Sequence, residues 1–203
     1  MTLEVDAVVQ SVSVPISGEA REPDGAEEPQ PGPGGGYWGL MTPPGCPKRA
    51  LLLGLGGGTV AHLLARRCPD VAMVGVERNA EVIAVARAEF GLDALPTLAI
   101  VEADAFTWVA DQAAGGADQF DLICLDLFEA GRLALGTLAT PFLRQVGALL
   151  TPGGVLTVNL MVTGRTPEHL HRLRRVFRIV RELRLRGNLV VHAMLDATAT
   201  DGE

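Results

Sequence analysis

The stretch Ala50-Leu51-Leu52-Leu53-Gly54-Leu55-Gly56-Gly57-Gly58-Thr59 decides the reading of this chain. Its four leading apolar residues have no polar alternation, which is the pattern of a short strand covered on both faces. Thr59 to Arg67 then carries the 3.6-residue spacing of a helix. A glycine loop at such a junction lets the backbone take positive φ, come close to a ligand and aim the helix N-terminal amides into a crevice. The same loop also fits a plain tight crossover, so the neighbouring segments decide between the two.

Working outward, strand and helix patterns alternate. Strands are expected at 50–53, 71–76, 97–102, 120–125 and 154–159, and helices at 59–67, 80–90, 106–112 and 138–150. Continuous apolar strands separated by helices predict an α/β, doubly wound Rossmann-like sheet, mostly parallel and covered on both faces. A helix over 166–178 then leads into strands at 179–185 and 189–194, joined by Arg186-Gly187-Asn188. Two consecutive strands around such a turn predict an antiparallel C-terminal hairpin. At the other end, Leu3-Glu4-Val5-Asp6-Ala7-Val8-Val9-Gln10 alternates and predicts a short N-terminal β segment.

The strand ends carry the candidate chemistry. Glu77 closes the second strand, at the spacing from the glycine loop where a carboxylate accepts the hydroxyls of a nucleotide ribose. Asp104 and Ala105 follow the third strand, and Asp126, with Glu129 three residues on, follows the fourth. An aspartate in these places either contacts a ligand or caps the next helix.

Composition narrows the classes. The chain has 203 residues, 48% hydrophobic, with a net charge of −7 and a mean hydropathy of +0.26. No apolar run reaches the roughly 20 residues of a membrane span, and the N-terminus lacks the basic and apolar regions of a signal peptide. The balance is uneven, −6 over residues 1–47, −4 over 48–164 and +3 over 165–203. An acidic chain argues against a nucleic-acid partner, and the arginines of 165–186 fit a solvated face. Cys46, Cys68 and Cys124 lack CxxC spacing or a framework pattern, which suits a reducing, cytoplasmic setting. The four histidines form no zinc signature, so no metal site is expected. His62 reads as a surface residue and Cys124 as core. Tyr37-Trp38-Gly39-Leu40-Met41 reads as an exposed aromatic segment that a homodimer would shield.

Taken together, the glycine loop, Val76-Glu77, Glu102-Ala103-Asp104-Ala105, Phe120 to Asp126 and Leu150-Thr151-Pro152-Gly153-Gly154 resemble the class I S-adenosylmethionine-dependent methyltransferase fold, and within it the spermidine-synthase-like family. The resemblance implies that Gly54, Gly56, Gly57 and Gly58 line S-adenosylmethionine or its decarboxylated form. It implies that Glu77 holds the ribose and that Asp104 and Ala105 hold the adenine. Asp126 and Glu129 would be catalytic, with Gln10 and Tyr37 towards a small-molecule acceptor. It divides the chain into a lid-like β segment (1–16), a Gly/Pro-rich acidic linker with the aromatic segment (17–46), the cofactor-binding domain (47–196) and a tail (197–203).

Departures from the family pattern shape the expected reaction. Gly57 stands where that family's loop carries an aspartate for the donor's aminopropyl amine. The expectation is therefore methyl transfer to a small amine or hydroxyl, with polyamine aminopropyl transfer as one alternative and a non-catalytic relative as another. A nicotinamide-dependent oxidoreductase fits less well, because Thr59 occupies the last glycine position of GxGxxG.

Overall fold

The computed structural model describes residues 2–5, 8–12, 36–116 and 118–195. Strands β1 (Thr2–Val5) and β2 (Val8–Val12) pair antiparallel. Gln10 lies in β2, but its side chain is outside the described residues, as are segment 17–35 of the expected linker and the tail.

The following elements are β3 (Arg49–Leu53), α1 (Thr59–Arg67), β4 (Ala72–Glu77), α2 (Ala80–Phe90), β5 (Leu98–Glu102), α3 (Ala105–Ala114) and β6 (Phe120–Leu125). After them come β7 (Phe128–Glu129), β8 (Arg132–Leu133), α4 (Thr140–Ala148), β9 (Leu150–Met161), α5 (Thr166–Arg174), β10 (Phe177–Leu185) and β11 (Asn188–Leu195). One seven-stranded sheet has the order β10-β11-β9-β6-β3-β4-β5. Its β5-β4-β3-β6-β9 run is parallel, and β11 is antiparallel to both β9 and β10. The order reverses between β3 and β6, where doubly wound sheets open a crevice at their carboxyl ends.

Alternation along β3 explains its unbroken apolar sequence. Leu51 and Leu53 point into a core shared with Val109 of α3, Phe142 and Leu143 of α4 and Leu170 of α5. Ala50 and Leu52 point the other way, towards Ala61 and Leu64 of α1, Ala86 of α2 and Met41. Each face needs its own apolar residues, so no position is left for a polar one.

Several expectations are corrected. Helix α4 starts at Thr140, where Pro141 sets the first turn, and ends before Leu149. Helix α5 stops at Arg174, and Phe177 and Arg178 already belong to β10, because Phe177 pairs with Leu195 across the hairpin. Strand β9 runs on through Thr151-Pro152-Gly153-Gly154, with a register shift against β6 accommodating the turn-forming residues. The short β7–β8 hairpin was not expected. The aromatic segment is not an exposed face: Trp38, Leu40 and Met41 are buried in the chain's own core, which removes the reason for a dimer to shield them. His62 is half-buried, its Nε2 2.8 Å from the Phe90 carbonyl oxygen. Cys124 is buried, as expected.

The cysteine reading is also corrected, since Cys46 and Cys68 form a disulfide. Helix α1 runs back alongside β3, so its final residue is followed by Cys68 close to where Cys46 precedes β3. Arg67 draws the two segments together by donating to the carbonyl oxygens of Thr42 at 3.0 Å and Pro43 at 2.8 Å. No helix among the described residues is long and apolar enough to cross a membrane.

Candidate functional site

Three strand ends meet beside the switch point. Gly54, directly after β3, has a φ of +86°, and a Cβ there would collide with the backbone carbonyl oxygen of Asp126. A side chain would therefore both strain the backbone and push β3 and β6 apart. Gly58 caps α1 at φ +81°, and a Cβ on it would overlap the Leu92 side chain. Gly57 is buried within the same loop.

The loop grips Glu77. The Gly56 amide donates to Oε2 at 3.1 Å and the Asn79 amide to Oε1 at 3.0 Å. Both oxygens are oriented by the backbone, and each retains a lone pair for a ligand hydroxyl. Asp104 caps α3, its Oδ1 accepting from the amides of Phe106 at 3.0 Å and Thr107 at 3.1 Å. The capping role read from the sequence is therefore present, and Oδ2 remains for a ligand. Ala105 is the first, buried residue of α3.

Across the switch point, the half-buried Asp126 is clasped from two sides. Tyr37 donates its hydroxyl to Oδ2 at 2.8 Å, and Asn159 donates its amide to Oδ1 at 2.8 Å. Asn188 in turn donates to Oδ1 of Asn159 at 2.9 Å. Desolvation raises the Asp126 pKa above the ordinary carboxylate range, against the pull of its two donors. Burial, and then the neighbouring Asp126 charge, push the Tyr37 phenol upward, so it stays protonated as a donor. Cys124, two residues before Asp126, is pushed up to about 12 by burial and stays a thiol.

Tyr37 reaches this position because segment 36–48 is fastened across the sheet. The Leu40 carbonyl oxygen lies 2.7 Å from His192 Nε2, and the Met41 carbonyl oxygen accepts from Thr157 at 3.0 Å. Glu129 is placed differently from Asp126. It lies on β7 and pairs with Arg78 at 2.9 Å, both side chains exposed, so the two acids expected to work together have separate partners.

Sequence reasoning missed Asn159, Asn188, Thr157 and His192. A signal for Thr157 and Asn159 exists, because they interrupt the apolar Leu156, Val158 and Leu160 of a buried strand. Buried polar groups there require partners. Asn188 carries no such signal, being an ordinary turn residue by sequence.

The sheet order, glycine loop and three acidic strand ends define the class I S-adenosylmethionine-dependent methyltransferase fold. Residues 48–195 match the family described as "Methyltransferase domain", and the chain belongs to that family. Among curated proteins, it is 35% identical over 114 residues to the polyamine aminopropyltransferase of Chromobacterium violaceum, covering 56% of this chain and 42% of that one. It is also 35% identical over 125 residues to the trans-aconitate 2-methyltransferase of Methylobacterium radiotolerans, covering 61% of this chain and 42% of that one. The chain thus spans less than half the length of these two relatives. Among solved structures, human methyltransferase-like protein 13 in complex with SAH is similar with a TM-score of 0.67 and 24% identity, covering 77% of this chain and 75% of that one.

Proposed function

We propose that this chain is an S-adenosylmethionine-dependent methyltransferase whose acceptor is a small amine or hydroxyl compound bound at Asp126. The observation that carries the reading is the contact between the glycine loop and the Asp126 strand end, which sets the nucleotide side of the crevice directly beside a clasped carboxylate.

The residues present fit the cofactor. Gly54 and Gly58, both at positive φ, hold the loop in its tight turn against the Asp126 strand end, and Glu77 is pre-oriented by two amides with acceptor capacity to spare. Glu77 would hold the ribose hydroxyls, with Asp104 Oδ2 and the start of α3 at the adenine. When bound, S-adenosylmethionine supplies a methyl group activated on a sulfonium. The chain's own work is to orient and to manage a proton. Asp126 anchors the acceptor's N–H or O–H, and its raised pKa makes it a stronger base than an ordinary carboxylate. Tyr37 and Asn159 hold both of its oxygens, so little reorganisation is needed when the acceptor loses its proton.

Aminopropyl transfer to a polyamine is the second reading. The 35% identity with the Chromobacterium violaceum enzyme favours it, together with the spermidine-synthase-like motifs. Gly57 in place of the loop aspartate weighs against it.

Calorimetric titration of the full chain with S-adenosylmethionine, its decarboxylated form and NAD tests these readings. The expected result is binding of S-adenosylmethionine that weakens by at least about 100-fold in Glu77→Ala, as the loss of two charge-assisted hydrogen bonds implies. Preference for the decarboxylated donor would transfer the assignment to aminopropyl transfer, and binding of NAD alone would overturn both.

A further inference from the structure

Asp126 sits at the end of a polar chain that begins 62 residues downstream, at the tip of the C-terminal hairpin. A carboxylate only accepts hydrogen bonds, so Asn159 serves Asp126 only when its NH2 group faces that way. In that orientation its carbonyl oxygen points away. Asn159 is 1% exposed, so that oxygen needs a protein donor. Asn188, the first residue of β11 and paired in register with Met161 of β9, supplies it.

We propose that Asn188 is a positioning residue of the Asp126 site: by donating to Oδ1 of Asn159, it fixes that amide with its NH2 group towards Asp126. Turned over, Asn159 would set its own oxygen against the carboxylate. The hairpin thereby acts on the crevice from outside, through one side chain. Each bond also polarises the next, so the Asn188 donor strengthens the one that Asp126 receives. The titratable groups facing Asp126 are Tyr37 from segment 36–48 and Cys124 from β6. Both stay protonated in the range where a carboxylate titrates, so neither masks a change at Asp126.

The inference rests on the reading of Asp126 as the acceptor-facing carboxylate, but its test reads Asp126 itself. Aspartates in the full chain are labelled with 13C at Cγ and titrated by NMR, and the Asp126 signal is identified by its loss in Asp126→Asn. In Asn188→Leu, a neutral change, the Asp126 midpoint is expected to rise by roughly one unit, the size expected when a charge-directed hydrogen bond is weakened. Asn159→Leu should raise it at least as far. The double variant should go no further than Asn159→Leu alone, because Asn188 acts only through Asn159. The Asp121 signal, which reports its contact with the start of β3, checks that each variant is folded.

Should Asn188→Leu fail that check, the isosteric Asn188→Asp carries the test. Its carboxylate accepts only, turns Asn159 over and raises the midpoint, and most of that rise disappears in the Asn159→Leu background. An unchanged Asp126 midpoint in a folded Asn188 variant, or shifts that simply add in the double variant, would overturn the proposal. Failure of the chain to bind S-adenosylmethionine would sink the proposed reaction and leave this coupling intact.

Discussion

Asp126 illustrates how one residue can be useful to a site and costly to the fold. Its half-buried carboxylate loses part of its hydration, and desolvation opposes its charge. Replacing the charge and removing a donor should therefore have opposite consequences. Asp126→Asn keeps the shape and relieves the desolvated charge, so its stability to urea at pH 7 should stay within about 1 kcal/mol of the parent or exceed it. Tyr37→Phe leaves the charge in place with one donor fewer, and should cost about 1–2 kcal/mol. Equal losses in both variants would show that the clasp matters for packing alone.

Among the elements, the segment from Gly36 to Lys48 does most to shape the site, although it has little regular structure. It places Tyr37 on Asp126, hangs Leu40 and Met41 from His192 and Thr157, and is tied to the end of α1 by Cys46–Cys68. The disulfide closes a loop with a sequence separation of 22, and restricting that loop in the unfolded chain is worth about 3 kcal/mol. Reduction with a dithiol should lower Tm by roughly 6–10 °C in a scan at fixed pH. The Cys46→Ser/Cys68→Ser variant should show the same lower Tm with or without the reductant. At the opposite end of the sheet order, β10 is an edge strand carrying exposed Arg178, Arg181 and Arg184. Charged side chains on an edge strand, these arginines with Glu182 among them, discourage pairing of that edge with another copy, which gives the arginines a purely physical use.

At the scale of the whole molecule, acid sensitivity follows from imidazoles that the fold keeps neutral. Burial lowers the pKa of His62 and His192. The unfolded chain binds those protons from about pH 6.5 downward, whereas the folded chain does not. Their contribution is therefore complete above that pH and is lost as pH falls towards the lowered folded values. Asp126 acts in the opposite sense, since a raised carboxylate pKa removes stability as pH rises through the folded value. The two are separated by His192→Gln, which retains an N–H for the Leu40 carbonyl and leaves Asp126 untouched. Between pH 7 and pH 5, urea titrations of this variant should show a smaller fall in stability than the parent. Identical pH profiles would mean that His192 titrates alike in the folded and unfolded chain, and the burial argument would fail.

What the amino-acid order determined by itself is the parallel half of the sheet and the acidic rim at its carboxyl ends. Helices Thr59–Arg67 and Ala80–Phe90 and strand Phe120–Leu125 were legible to the residue, because local periodicity, the glycine loop and the cap residues all pointed the same way. The positions of Glu77, Asp104 and Asp126 at the carboxyl ends of β4, β5 and β6 were legible for the same reason, as each stands where an apolar strand gives way to a loop. Tertiary structure alone decided the rest. Phe177 left the helix for a strand because Leu195 faces it across the hairpin, and Cys46 met Cys68 because α1 reverses the chain over β3. The Tyr37–Asp126–Asn159–Asn188 chain joins residues far apart in sequence whose only shared property is a hydrogen-bonding group. No local pattern encodes such a meeting, because it exists only once the strands have paired and withdrawn those groups from water.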